Sequence, residues 1–105
     1  MTRDEFNQLL DDLFEQVRKI NDSKGLEYAT HDDALANFRR RGAELGLSPL
    51  QVWGIFYGKH HDAILSYLRR GGTLSEPIEG RIHDAILYLA LLAGLVAEQE
   101  TQRAG

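Results

Sequence analysis

Cysteine is absent from this chain, which excludes a disulfide framework, a thiolate metal site and a cysteine nucleophile together. Net positive charge is lacking too: twelve Lys and Arg stand against sixteen Asp and Glu, a formal charge of −4. A general DNA or RNA binder normally carries a basic footprint, so none is expected here. No basic segment precedes an apolar one near the start, so no secretory leader is expected. The uncharged run Ala85–Ala97 is too short to span a bilayer, and no membrane partner is expected. No period of solenoid length recurs. These absences fit a cytoplasmic protein.

What remains is ordinary soluble material, 43% hydrophobic and 27% charged over 105 residues. That length suits one domain, able to bury about two-thirds of its unfolded surface. The run from Ile82 to Val96 organises the rest. It is rich in Leu and Ala and too long for a strand, so it reads as a helix over 78–97. Ile82, Ile86, Leu89, Ala93 and Val96 line one side, and Arg81, Asp84, Tyr88, Leu91 and Leu95 another. A helix apolar nearly all round must be covered on more than one side, so one flank is expected to meet a partner subunit. Leu87, Leu91 and Leu95 form the patch to watch, because large uncovered apolar patches mark interfaces.

Three helices are predicted before it. Over 4–20, Phe6, Leu9, Leu10, Leu13, Phe14, Val17 and Ile20 follow the helical template, with Thr2 or Asp4 as cap and Asn21–Gly25 as the break. A connector, Leu26–His31, carries Glu27 and Tyr28. Asp32 or Asp33 then caps a helix over 33–45, whose buried side holds Ala34, Leu35, Phe38 and Leu45, with Asn37 and Arg41 on or beside it. Gly46-Leu47-Ser48-Pro49 closes that helix and opens the next, over 49–70, which ends before Gly71-Gly72. Ser75 and Pro77 lead into the last. The fold class expected is all-α, a compact four-helix domain assembling through its C-terminal helix.

Two polar clusters interrupt the apolar helices. Lys59-His60-His61-Asp62 places His60 on an inward stripe with Phe56 and Ile64. There it is either a bonded core imidazole or, with Lys59, a phosphate or base contact. A zinc site from His60, His61, His83 and Asp84 has the composition but no supporting spacing. Glu79, Arg81, His83 and Asp84 open the last helix; Arg81 and Asp84 can pair at i, i+3, while Asp84 faces the same way as Tyr88, whose ring could stack a base. Arg39-Arg40-Arg41 suits a helix C-terminus and offers a second set of phosphate donors.

The ordered series Glu27-Tyr28-Ala29, Asn37-Phe38, Lys59-His60 with Ile64, and Gly80 to Leu89 resembles a group of small phage-encoded helical proteins. These are similar to the nucleotide modification associated domains and, more distantly, to MazG-like nucleoside triphosphate pyrophosphohydrolases. The likeness covers roughly residues 23 to 96. It implies a helical, commonly oligomeric fold and a nucleotide ligand. The pyrophosphohydrolases hold magnesium with several carboxylates, including a Glu-x-x-Asp pair. In this chain Asp84 matches the later Asp, but Arg81 stands where the Glu would be, and the facing helix offers Lys59-His60-His61-Asp62. Magnesium seeks hard oxygen ligands, so Arg and Lys there favour phosphate over metal.

The leading expectation is therefore a non-catalytic nucleotide-binding protein of phage type, one that sequesters a signalling nucleotide or serves nucleotide metabolism, with an anti-defence role among the options. No cofactor, catalytic residue or metal ligand is assigned. The ligand-binding set is Glu27, Tyr28, Asn37, Arg41, Lys59, His60, Arg81, Asp84 and Tyr88, with Trp53, Arg39 and Arg40 as lesser candidates. The partners expected are a nucleotide and further copies of the chain, in the cytoplasm of a bacterial host. One alternative is a MazG-like enzyme in which Asp84, Glu79, Asp62 and Glu27 bind magnesium. Another is an oligomeric scaffold without a small ligand.

Overall fold

The computed structural model describes residues 1–27, 33–71 and 77–104, the side chains of 25–27 and 104 excepted. Four helices make up the fold: α1 (Arg3–Glu27), α2 (Ala36–Leu45), α3 (Pro49–Arg70) and α4 (Ile78–Ala104). No strand occurs among the described residues, and the fold is all-α as the periodicity predicts.

The caps follow from side-chain chemistry. Thr2 Oγ1 accepts the Glu5 backbone N–H at 3.1 Å and starts α1. Ser48 and Gln51 exchange side-chain and backbone bonds at 3.1 and 2.9 Å, a reciprocal capping box, with Pro49 following. Gly46 and Gly71 end α2 and α3 at φ 70° and 72°, values that only glycine adopts without strain.

Two helices outrun the sequence reading. α1 continues through Asn21–Gly25 to Glu27, seven residues past the expected helix end at Ile20. A glycine in a helix costs only about 1 kcal/mol, and Lys24 gains a partner on α4 by staying helical. α4 runs to Ala104 rather than stopping near 97, since Glu98–Ala104 contains no breaker and Glu98 binds Arg39. Helix α2 starts later than expected, at Ala36. Asp33 does not cap it directly but takes the Leu35 N–H on Oδ1 at 3.0 Å, turning the chain just before it.

α3 and α4 pack most extensively, α2 packs on α3, and α1 lies on α4 alone among the helices. The central core is Leu35, Phe38, Val52 and Leu95, surrounded by Leu47, Leu50, Trp53, Phe56, Tyr88 and Leu91. Gly42 permits the tight α2–α3 corner: a Cβ there would sit 2.5 Å from the Leu47 carbonyl oxygen. The two flanks of α4 separate clearly. Leu87 and Leu95 are buried within the chain and Leu91 is half-buried, so the patch expected to meet a partner is largely covered internally. The other flank is open, with Ile82, Leu89 and Val96 all more than a third exposed.

The length of α4 also revises the membrane argument. The most apolar 18-residue stretch within Ile78–Arg103 reaches a mean hydropathy of 1.4, so by length and composition only this helix could cross a bilayer. The same helix supplies Ala85, Leu87 and Leu95 to the interior of the protein.

Candidate functional site

A cavity of about 570 Å³ opens between the C-terminal half of α1, the start of α2, the middle of α3 and the first turns of α4. Its polar lining is Asn21 and Lys24 from α1, Asp33 and Asn37 around the start of α2, Lys59 and His60 from α3, and Arg81 and Asp84 from α4. Phe38, Phe56 and Tyr88 supply an aromatic wall, continued by Leu87 and Leu91. Residues more than sixty positions apart in sequence thus share one concavity.

The rings hold this wall in a fixed arrangement. Phe38 meets Phe56 at 6.4 Å and the edge of Tyr88 at 6.4 Å, with an interplanar angle of 87° in the second pair. His60 packs on Tyr88 with ring centroids 4.6 Å apart. Behind the wall, Trp53 Nε1 donates to the Tyr88 backbone carbonyl at 2.7 Å and fixes α3 against α4.

Charge is distributed against the trend of the whole chain. Lys24, Lys59 and Arg81 line the cavity against Asp33 and Asp84, three cations less two anions, or +1, while the protein carries −4. Both carboxylates are engaged. Lys24 Nζ lies 3.7 Å from Asp84 Oδ1, and Asp33 binds Arg39, which also reaches Glu98 at 2.8 Å. Low-dielectric walls around such a cluster strengthen its attraction for anions relative to open surface.

His60 is buried, and its Nδ1 has no hydrogen-bond partner. Burial pushes its pKa below the ordinary 6.5, and the nearby Lys59, Arg81 and Lys24 push the same way against the opposing pull of Asp84. The imidazole is therefore neutral near pH 7, an aromatic and polar surface rather than a fourth cation.

Of the residues expected from sequence, Asn37, Lys59, His60, Arg81, Asp84 and Tyr88 line this one cavity. Arg41 does not. It is exposed and binds Glu44 at 2.9 Å, one turn along its own helix. Arg39 and Arg40 likewise serve Asp33, Glu98 and Asn37, so the triple arginine is spent on internal pairs. Trp53 is half-buried against the core and stacks on Tyr57 at 4.7 Å instead of facing the cavity. Glu79 and His83 line a separate groove beside α1, and Asp62 is exposed on α3. Tyr28, and with it His31 and Asp32, lies outside the described residues, as does the Glu27 side chain.

The sequence reading missed Asn21 and Lys24, expected Asp33 only as a cap, and placed Phe38 and Phe56 in the core rather than in this wall. The signal for Asn21 and Lys24 was present, since Val17, Asn21 and Lys24 recur at i, i+4, i+7 on one helical face. Among the described residues, no three His, Asp or Glu side chains gather in a way that could hold a metal ion.

Compared with known proteins, the chain matches no family model, no curated protein and no solved structure.

Proposed function

We propose that this protein binds a nucleotide without turning it over, phosphate on the cationic side of the cavity and base on the aromatic side. The carrying observation is the convergence of Lys24, Lys59 and Arg81, from three helices, on a cavity walled by Phe38, Phe56 and Tyr88. Ammonium and guanidinium groups are strong donors to phosphate oxygens, and aromatic faces stack bases of any sequence. Asn37 and Asp84 stand within the same lining as hydrogen-bonding groups for base or sugar edges. A volume of about 570 Å³ falls within the range of ligand pockets.

Binding is favoured over hydrolysis by the donor set. Metal-assisted pyrophosphate release relies on clustered carboxylates, whereas the two acids lining this cavity are each paired with a cation. A protein of this kind lowers the free concentration of its ligand, the sequestering role that the phage resemblance suggests. The test is isothermal titration with mono-, tri- and cyclic nucleotides at about 100 μM protein, sensitive to roughly −5.5 kcal/mol. Heat that vanishes in Lys59→Ala and Arg81→Ala supports the reading. Magnesium-dependent turnover of a bound triphosphate would replace sequestration with the pyrophosphohydrolase alternative.

A further inference from the structure

The cavity does not end at its aromatic wall. Asn21, Ala34, Leu87 and Leu91 also line a second groove, of about 500 Å³, which continues from the cavity along α4. Phe14 and Val17 of α1 form one side of this groove, and Ala34 and Leu35 ahead of α2 form the other. Ala90 and Gly94 extend its floor. The groove exists because α1 packs on α4 and not on α2, which leaves a trench between them.

Cavity and groove together have a polar end and an apolar end. On α4, Arg81 and Asp84 line the cavity, Leu87 and Leu91 line both spaces, and Ala90 and Gly94 line the groove. On α1, Lys24 lines the cavity, Asn21 both spaces, and Val17 and Phe14 the groove. Among the described residues, Arg18 and Asn21 are the only polar side chains in the groove lining. The apolar stretch from Leu87 to Gly94 is about 10 Å long at the rise of a helix. Phe14 beside it is 57% exposed.

We infer that the nucleotide taken here is joined through its phosphate to an acyl or alkyl chain, and that the chain lies in the apolar groove. This rests on the nucleotide reading of the cavity and names what leaves the phosphate. Lys24, a cation of the cavity, stands one helical turn from Asn21, which both spaces share, so a substituent on the phosphate enters the groove directly. A base against Phe38 and Phe56 lies on the α2–α3 side, away from that mouth. A second nucleoside suits the groove poorly. Its polar edges would find only Asn21 and Arg18, and burying unpaired polar groups is costly. Charge selects the same ligand: a phosphate linked on both sides carries one negative charge against the +1 of the cavity lining, whereas a free triphosphate carries several. An octyl chain spans the apolar stretch and covers the Phe14 ring.

The test is calorimetric titration of AMP, GMP, CMP and UMP, each beside its octyl phosphodiester and an isomer with the octyl group on the base, all below the micelle concentration. Octyl phosphate is the control without a nucleoside. The octyl ester of the nucleotide that binds is expected to bind about thirtyfold tighter than its parent, and the base-linked isomer to gain nothing. Ala90→Trp fills the groove from an exposed position outside the cavity lining, so it removes the gain and leaves the parent's affinity unchanged. Phe14→Ser, which only trims an exposed ring, reduces the gain about fivefold and keeps the test open if Ala90→Trp fails to fold. Equal affinity of parent and ester, an equal gain from the base-linked chain, or a gain kept in the folded variants overturns the inference and leaves the nucleotide reading standing. Octyl phosphate binding as tightly as the esters, or no heat from any of the compounds, overturns both.

Discussion

Lys24 on α1 and Asp84 on α4 stand 3.7 Å apart in the lining of the cavity that also holds Lys59, His60 and Arg81. The pair is half-exposed, and such pairs contribute at most about 1 kcal/mol to stability. Its value lies in bringing an ammonium from the end of α1 to the cationic side of the cavity. Lys24→Ala should therefore leave Tm nearly unchanged and weaken nucleotide affinity about tenfold, by about 1.4 kcal/mol. Scanning calorimetry and titration on the same variant measure both.

A neutral, buried His60 links stability to pH. Its pKa is lowered in the fold, so the unfolded chain binds the proton more readily below 6.5. The full stability holds above that value and declines as pH falls from 6.5 toward the lower folded pKa, then levels with respect to this group. Urea unfolding across pH 7.5 to 5 checks the slope, and the imidazole resonances of His60 should titrate below those of an exposed histidine. An anionic ligand beside Lys59 and Arg81 offsets their repulsion and shifts that titration upward.

The glycines divide sharply. Gly42→Ala drives a methyl against the Leu47 carbonyl and should cost about 1–3 kcal/mol, since backbone at a tight corner yields poorly. Gly54→Ala and Gly58→Ala, within α3 and with open space around the new methyl, should instead stabilise by about 0.5–1 kcal/mol. Denaturant midpoints at constant slope distinguish the three.

Trp53 is the one tryptophan in the sequence, and its indole N–H holds the backbone of Tyr88, a residue of the cavity wall. Under the proposed function a base stacked on Tyr88 would perturb that bond, so the intrinsic fluorescence should change saturably with added nucleotide. Trp53→Phe removes the signal and one donor to the Tyr88 carbonyl, which keeps its bond within α4, at a cost of about 0.5–1.5 kcal/mol.

How far the sequence carries this account depends on punctuation. α3 was legible because Ser48-Pro49 and Gly71 mark both ends with residues of distinct backbone chemistry. The end of α1 was not, because Gly25 reads as a stop locally while a tertiary partner for Lys24 lies sixty residues away. Lys59, Arg81 and Asp84 could be picked out as polar residues inside apolar helices, and they line one cavity. Arg41 could not be separated from them in advance, since its pairing with Glu44 depends on rotamers rather than spacing alone. Which flank of α4 is covered internally was likewise hidden, because both carry long apolar side chains and the docking of α3 and α1 decides between them.

The most direct test of the central claim is calorimetric titration of nucleotides into the wild-type chain and into the double variant Lys59→Ala/Arg81→Ala. Saturable heat with the wild type and none with a folded double variant is the result expected. Absence of heat with every nucleotide at about 100 μM, or equal affinity for both proteins, contradicts it.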